Sequence, residues 1–189
     1  FRTQENASRH LRAGAKKVIL FAPPVDDSIK SVVLGINEEI IDPKDKIISN
    51  ASCTTNATNP VAAVLHESLG IKKALLTTVH GYTSTQSLVD GMSKKDPRRG
   101  RAAAMNIIPT STGAAKAVAQ VIPDLEGVFD GVAIRVPVIS GSLIDLTMVM
   151  SRETSVEEVN QILTNAAHDS RWSAVMGVTT EPLVSSDIL

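Results

Sequence analysis

What this chain lacks narrows its reading first. No run of apolar residues approaches the roughly 18 needed to span a bilayer, and the opening FRTQENASRH holds no apolar signal-peptide core. A soluble, intracellular protein, cytoplasmic and without a membrane partner, is therefore expected. Charge of one sign is also missing: 19 basic residues stand against 20 acidic ones, a formal net charge of -1. Such a balance gives no general attraction to nucleic acid or anionic lipid, although local basic patches remain open. Cysteine is reduced to Cys53 alone. An internal disulfide is excluded and no structural metal cluster is expected, which leaves Cys53 as either a small buried residue or a reactive thiol. Internal repeats and low-complexity segments are absent. The chain opens at Phe1 rather than methionine and ends Ser185-Ser186-Asp187-Ile188-Leu189 without an obvious closing element, so both ends are expected to be cut.

What is present is ordinary globular material. The 189 residues are 43% hydrophobic and 21% charged, enough for one large domain or parts of two. Thr3 to Ala13 reads as an amphipathic helix stopped by Gly14, and Lys17 to Ala22 as a buried strand halted by Pro23-Pro24. Ser31 to Ile36 and Ile47 to Ser49 read as two more short strands. The second leads into Asn50-Ala51-Ser52-Cys53-Thr54-Thr55-Asn56, so a strand delivers the cysteine. A helical pattern then runs to Leu69, with Gly70 closing it and Pro60 either kinking it or lying near its regular start. Lys73 to His80 is strand-like and Gly81 to Arg101 a long polar loop, a length that usually carries function. Gly113 to Val121 predicts a short helix, Gly131 to Val138 and Ser142 to Arg152 two strands. Ser155 with Glu158 forms a capping box for a helix to about Ala167. The pattern suits an α/β or α+β sheet domain, with a break near Ala51.

Cysteine attacks as its thiolate, and a helix N-terminus or a neighbouring histidine lowers its pKa. Cys53 meets the first condition, and the polar Ser52, Thr54, Thr55 and Asn56 around it are unusual company for an inert core cysteine. Of four histidines, only His80 ends an apolar strand and begins a polar loop, where catalytic side chains commonly sit. His10, His66 and His168 fall on helix faces or ends and read as surface or packing residues. Thr110-Ser111-Thr112-Gly113 precedes a helix, so its N–H groups are placed either to meet an anion or to form a plain Ser/Thr cap. Arg135, flanked by Ile134 and Val136 in a strand, must find an anion or a carboxylate; Asp145 is the available structural partner. Lys94, Lys95, Arg98, Arg99 and Arg101 read by default as a solvated basic stretch.

Five ordered strings, ASCTTN (51–56), TTVHGYTSTQ (77–86), NIIPTSTGAAKAV (106–118), IRVPV (134–138) and VSSD (184–187), resemble phosphorylating glyceraldehyde-3-phosphate dehydrogenases along essentially the whole chain. That resemblance implies an NAD-binding Rossmann remnant over 1–51 and a truncated catalytic domain over 52–189, a mixed, largely antiparallel sheet with helices on one face. It implies Cys53 as nucleophile and His80 as base, Thr83 and Arg135 on the substrate's phosphate, and Ser52, Thr54, Thr112 and Gly113 at the inorganic-phosphate site. It assigns NAD, with NADP as the other choice, as cofactor, a small phosphorylated aldehyde and inorganic phosphate as partners, no metal and no nucleic acid, and a homotetramer at full length. The loop Gly81 to Arg101 corresponds to a family loop near the nicotinamide and the subunit interface, where one of Arg98, Arg99 and Arg101 is a candidate to face phosphate. Erythrose-4-phosphate dehydrogenases share the cysteine and histidine; the TSTG segment favours the three-carbon substrate. A non-catalytic binding surface is the further alternative. Two departures stand out: Ala57 replaces a common second cysteine, and the loop varies around Met92 and Pro97, where the family's nicotinamide and subunit contacts lie. No two glycines lie two positions apart, so the G-x-G turn of a Rossmann unit is missing. The chain alone is accordingly expected not to run the redox reaction.

Overall fold

The computed structural model describes residues 1–25, 28–94 and 96–188. Lys95 of the basic stretch and the terminal Leu189 lie outside the described residues. The first helix, α1 (Gln4–Arg12), is capped by Thr3, whose hydroxyl accepts from the Asn6 N–H at 3.3 Å, and it gives way to Gly14 at φ +104°. It packs on a parallel pair, β1 (Val18–Leu20) and β2 (Ile47–Ser49), through Ala7, Leu20, Ile29 and Ile47.

Ser31 to Ile36 is not the strand that its apolar run suggested. Only Ser31 bridges Ser49. Beyond it the Asn37 side chain takes over the backbone groups a ladder would use: Oδ1 accepts from the Val33 N–H at 2.8 Å and Nδ2 donates to the Ser31 carbonyl at 3.0 Å. Gly35 at φ +82° completes the turn. Val32 and Val33 are buried as anchors of this turn rather than as strand residues.

The larger layer begins with α2 (Cys53–Leu69), in which Pro60 lies inside a helix continuous on both sides. β3 (Ile71–Gly81), β4 (Ile108–Ser111), β5 (Phe129–Val136) and β6 (Ser142–Met150) form one sheet in the order β4-β5-β3-β6. β3 runs parallel to β5 and antiparallel to β6, and β4 is antiparallel to β5. This is a mixed, largely antiparallel sheet. β4 escaped the sequence reading because it has four residues and contains Pro109; a proline that cannot donate to a ladder is tolerated at a sheet edge, which is where β4 lies.

Two helices complete the layer, α3 (Ala114–Val121) and α4 (Val156–His168). Ser155 caps α4 by accepting from the Glu158 N–H at 3.2 Å. The helices occupy one face of the sheet. There Leu65 and Leu69 of α2, Val118 of α3 and Ala74 of β3 share a core with Leu125, with Val159, Ile162 and Leu163 of α4 against its rim. Strand alternation sends Leu75, Val132, Leu143 and Val149 to the opposite face, each more than half exposed. Among the described residues no helix is long and apolar enough to cross a membrane.

Leu76 is 1% exposed on the helix-covered side of β3. Leu76→Ala is expected to lower unfolding free energy by about 2–5 kcal/mol in urea titration; a loss well below 1 kcal/mol would mean that the helix layer does not close over this strand.

Candidate active site

The site begins with a sharp turn out of β2. Ser49, fully buried, donates to the Ala22 carbonyl at 2.9 Å and accepts from the Ala51 N–H at 3.0 Å. Ala51 takes φ +54°, the left-handed region that costs a side-chain-bearing residue about 1–2 kcal/mol. Asn56 holds the strained turn closed, its Nδ2 donating to the Asn50 carbonyl at 2.7 Å and the Ser52 carbonyl at 2.9 Å. Ser52 is the N-cap, its Oγ accepting from the Thr55 N–H at 3.0 Å. Cys53 follows as the first residue of α2, exposed, where helix N–H groups favour an anion.

The end of β3 brings His80 to this helix terminus, with Cys53 Sγ at 3.3 Å from His80 Nε2. That contact, together with the Thr54 backbone and hydroxyl, draws the Cys53 thiol down to about 7 against the opposing cost of partial burial. A cleft of about 390 Å³ lies over the pair, lined also by Thr54, Ala57, Gly141, Ser142 and Ile144.

The parallel register of β3 and β5 sets Arg135 beside His80. Its Nη1 lies 2.7 Å from His80 Nδ1 and donates to the Gly81 carbonyl at 3.0 Å. Partial burial and then the nearby Arg99 charge push the Arg135 pKa down, while Cys53 pulls it up. Asp145 is not its partner. That residue stands opposite Thr77, an odd number of positions from His80 and therefore on the other face of the sheet.

Among the three arginines of the long loop the geometry separates the roles. Arg98 is paired with Asp96 at 3.0 Å and Arg101 with Asp90 at 3.1 Å. Arg99 has no carboxylate partner among the described residues; it donates to the Thr110 hydroxyl at 2.9 Å and reaches the Thr85 hydroxyl and the Ser111 carbonyl at 3.5 Å. Thr83 belongs to the same neighbourhood through its hydroxyl contact with Thr85 at 2.9 Å, and the Gln86 side-chain oxygen accepts from the Thr83 N–H at 3.3 Å. Thr85, Gln86 and Thr110 lie within the strings that carry the family resemblance, but nothing in the sequence gave their side chains a role of their own.

Cys53, Thr54, His80 and Arg135 thus converge, whereas the Ser52 hydroxyl is turned to Thr55 and Thr83 reaches Arg99 only through Thr85. Thr112 and Gly113 stand beyond the end of β4, whose Ile108 pairs with Arg135. The Thr112 hydroxyl accepts from the Ala114 N–H at 3.1 Å and Gly113 is the N-cap of α3. Among the described residues no hydrogen bond joins either to the Cys53–His80 pair. His66 accepts from the Ile71 N–H at 3.1 Å, His168 Nδ1 meets the Thr164 carbonyl at 2.8 Å, and His10 packs on Phe1.

Residues 52–189 match the family described as "Glyceraldehyde 3-phosphate dehydrogenase, C-terminal domain". The chain belongs to the glyceraldehyde-3-phosphate dehydrogenase family. It is 52% identical to the glyceraldehyde-3-phosphate dehydrogenase of Haloarcula vallismortis, over 100% of this chain and 56% of that protein. The protein of the same name from Zymomonas mobilis is 50% identical over 99% of this chain and 55% of its own length. That from Mycobacterium leprae is 50% identical over 100% and 55%. The chain therefore spans about half the length of the curated relatives it matches.

Because the His80 contact is the first cause of the low Cys53 pKa, iodoacetamide alkylation should rise with pH through a midpoint of about 7. In His80→Asn the rise should move up toward the ordinary thiol range of about 8.5. Coincident midpoints in the two proteins would show that His80 does not activate the thiol.

Proposed function

We propose that this chain is the catalytic part of a phosphorylating glyceraldehyde-3-phosphate dehydrogenase, an oxidoreductase that converts glyceraldehyde 3-phosphate and inorganic phosphate to 1,3-bisphosphoglycerate. The observation that carries the reading is a thiol of pKa about 7 held 3.3 Å from an imidazole, beside a half-buried arginine that has no carboxylate partner among the described residues. The relatives' name supplies the substrate. Residues 1–51 are then the closing part of a dinucleotide-binding domain and 52–189 the catalytic domain; the separate β1–β2 sheet and a family match that starts at Ser52 support that division.

Cys53 thiolate adds to the aldehyde carbon, forming the S–C bond while the carbonyl electron pair moves to oxygen. His80 Nε2–H and the N–H groups at the start of α2 stabilise that oxygen, and His80 gives it a proton. In the oxidation that follows, His80 takes the hydroxyl proton back, and Cys53 is left as a thioester. Inorganic phosphate attacks the thioester carbon and expels the thiolate. Arg135, Thr83 and Arg99 hold anionic oxygens by charge and hydroxyl donors, and Thr54, Ser52, Thr112 and Gly113 complete the second phosphate position.

A dehydrogenase needs a hydride acceptor, NAD or NADP in this family reading. The residues present do not form its cradle: of the strand-to-helix turns, β2 to α2 presents Cys53, β4 to α3 carries Thr112 and Gly113, and β6 to α4 runs from Ser151 to Ser155 without a glycine, so none is a G-x-G turn. No residue of this chain is assigned to the cofactor. The helix-free sheet face with Leu75, Val132, Leu143 and Val149 supports burial between subunits of a homotetramer. An exposed reactive thiol supports a reducing compartment, the cytoplasm.

In the full-length enzyme Arg135→Leu should reduce kcat/KM for glyceraldehyde 3-phosphate by roughly 10- to 100-fold, the equivalent of about 1.5–3 kcal/mol for a lost charged hydrogen bond, and spare unphosphorylated glyceraldehyde. Arg99→Leu should weaken turnover that depends on the phosphate groups in the same sense, whereas Arg98→Leu should not. Equal losses on both aldehydes in Arg135→Leu would mark that residue as structural.

A further inference from the structure

The one tryptophan of the chain stands far from the thiol in sequence, on the turn that leaves α4. Asp169 shapes that turn: its Oδ1 accepts from the Arg171 N–H at 2.8 Å and its carbonyl from the Trp172 N–H at 3.1 Å. Trp172 is 5% exposed and packs with Ala63 and Val64 of α2, Ala166 of α4 and Ile36. The Arg171 guanidinium lies over its ring at 4.2 Å, and Nε donates to the Gly35 carbonyl at 2.7 Å. The two residues thus clamp the Gly35–Ile36 corner against the middle of α2. The fit is close. A Cβ on Gly35 would stand 3.2 Å from the Arg171 carbonyl oxygen and 3.4 Å from the indole, and φ +82° adds strain to any side chain there. The Arg171–Glu67 pair at 3.0 Å is about half exposed on both sides and contributes little.

That corner backs the turn before Cys53. Ile36 also packs on a second buried cluster, Val33, Ala51 and Val121, and Ala51 is the left-handed residue two positions before the cysteine. Backbone bonds tie the same segment to the end of β2: the Val32 N–H donates to the Ser49 carbonyl at 2.8 Å, and the Ser49 N–H to the Lys30 carbonyl at 2.8 Å. A strained conformation persists only where its surroundings over-determine it. Ser49 and Asn56 close the Ala51 turn from within by hydrogen bonds. Val33 packs on Ala51 from outside, and Val33 is kept there by the clamped corner. We propose that Trp172 and Arg171 are positioning residues for Cys53: by seating the 33–37 turn on α2 they keep the Ala51 turn in the conformation that brings the sulfur to His80. The inference deepens the role given to Cys53 above and rests on it. The charged groups that face the thiol, His80 from β3 and Arg135 from β5, are not part of the clamp.

The test is the pH profile of Cys53 alkylation by iodoacetamide in the full-length protein. Wild type should show its midpoint at about 7. Trp172→Ala should move it up by about half a unit or more, as the sulfur leaves the imidazole and the thiol returns toward its ordinary range of about 8.5. Trp172→Phe, which keeps an aromatic ring in the same seat, should stay near the wild-type midpoint. Arg171→Met gives up the bond to Gly35 without opening the core; it should shift the midpoint in the same direction by less, and it carries the test alone if Trp172→Ala does not fold. Leu125→Ala is the control, because it empties a fully buried position outside the clamp. It should lower the unfolding free energy and leave the midpoint where it is in wild type. An unchanged midpoint in every folded variant of the clamp would overturn the proposal. So would an equal shift in Leu125→Ala, which would show that any loss of packing loosens the thiol. His80→Asn separates these failures from a deeper one. A midpoint that responds to His80→Asn but not to the clamp removes only this inference, whereas a midpoint indifferent to His80→Asn removes the functional reading itself.

Discussion

The 3.3 Å contact between Cys53 and His80 joins two backbone termini that are set independently. α2 starts at Cys53 and lies along the sheet, so its first turn must coincide with the last residues of β3. The coincidence is secured by the turn before it, where Ser49, Ala51 and Asn56 fix the exit from β2 through four side-chain hydrogen bonds and one left-handed residue. Asn56 therefore acts on the thiol without touching it. The buried leucines under α2 supply the free energy that keeps the strained Ala51 conformation in place.

Charge is arranged around that contact by selective neutralisation. Asp96 and Asp90 occupy Arg98 and Arg101, which leaves Arg99 and Arg135, among the described residues, as cations of this neighbourhood without a paired carboxylate. Two guanidinium groups close enough for one to depress the other's pKa repel each other, and partial burial adds to the cost. An anion between them removes both penalties. The direct side-chain contacts of Arg99 are to the hydroxyls of Thr110 and Thr85, while Asp96 feels its charge without a hydrogen bond from its side chain.

The elements that were legible in the sequence are those fixed by local chemistry. The cap at Ser155, the stop at Gly14, the placement of Cys53 at a helix start and that of His80 near a strand end follow from residues within a turn of one another. Ser31 to Ile36 misled because apolar content says that a segment is buried, not that it pairs; the decisive Asn37 lies just outside the run. Arg135 required an anion or a carboxylate, but only the register of β3 against β5, set by residues more than fifty positions apart, shows that its neighbour is His80 rather than Asp145. Arg98 could have been set aside from Asp96 two residues earlier, whereas the Arg101–Asp90 pair crosses the loop and leaves no local mark.

A thiol pKa of about 7 suits the proposed reaction, in which the same sulfur would first attack and then leave. Nucleophilicity of a thiolate falls as its pKa falls, while its departure becomes easier. A thiol left near its ordinary value would be mostly protonated at neutral pH, and one drawn down several units would be ionised but sluggish toward an aldehyde. The arrangement seen here reaches the middle ground with one histidine contact and the Thr54 groups, offset by partial burial, and does not place an arginine directly on the sulfur. Arg135 instead touches the far nitrogen of His80. The sulfur and the far nitrogen of His80 are thereby met by different elements, the first by helix α2, the second by strand β5.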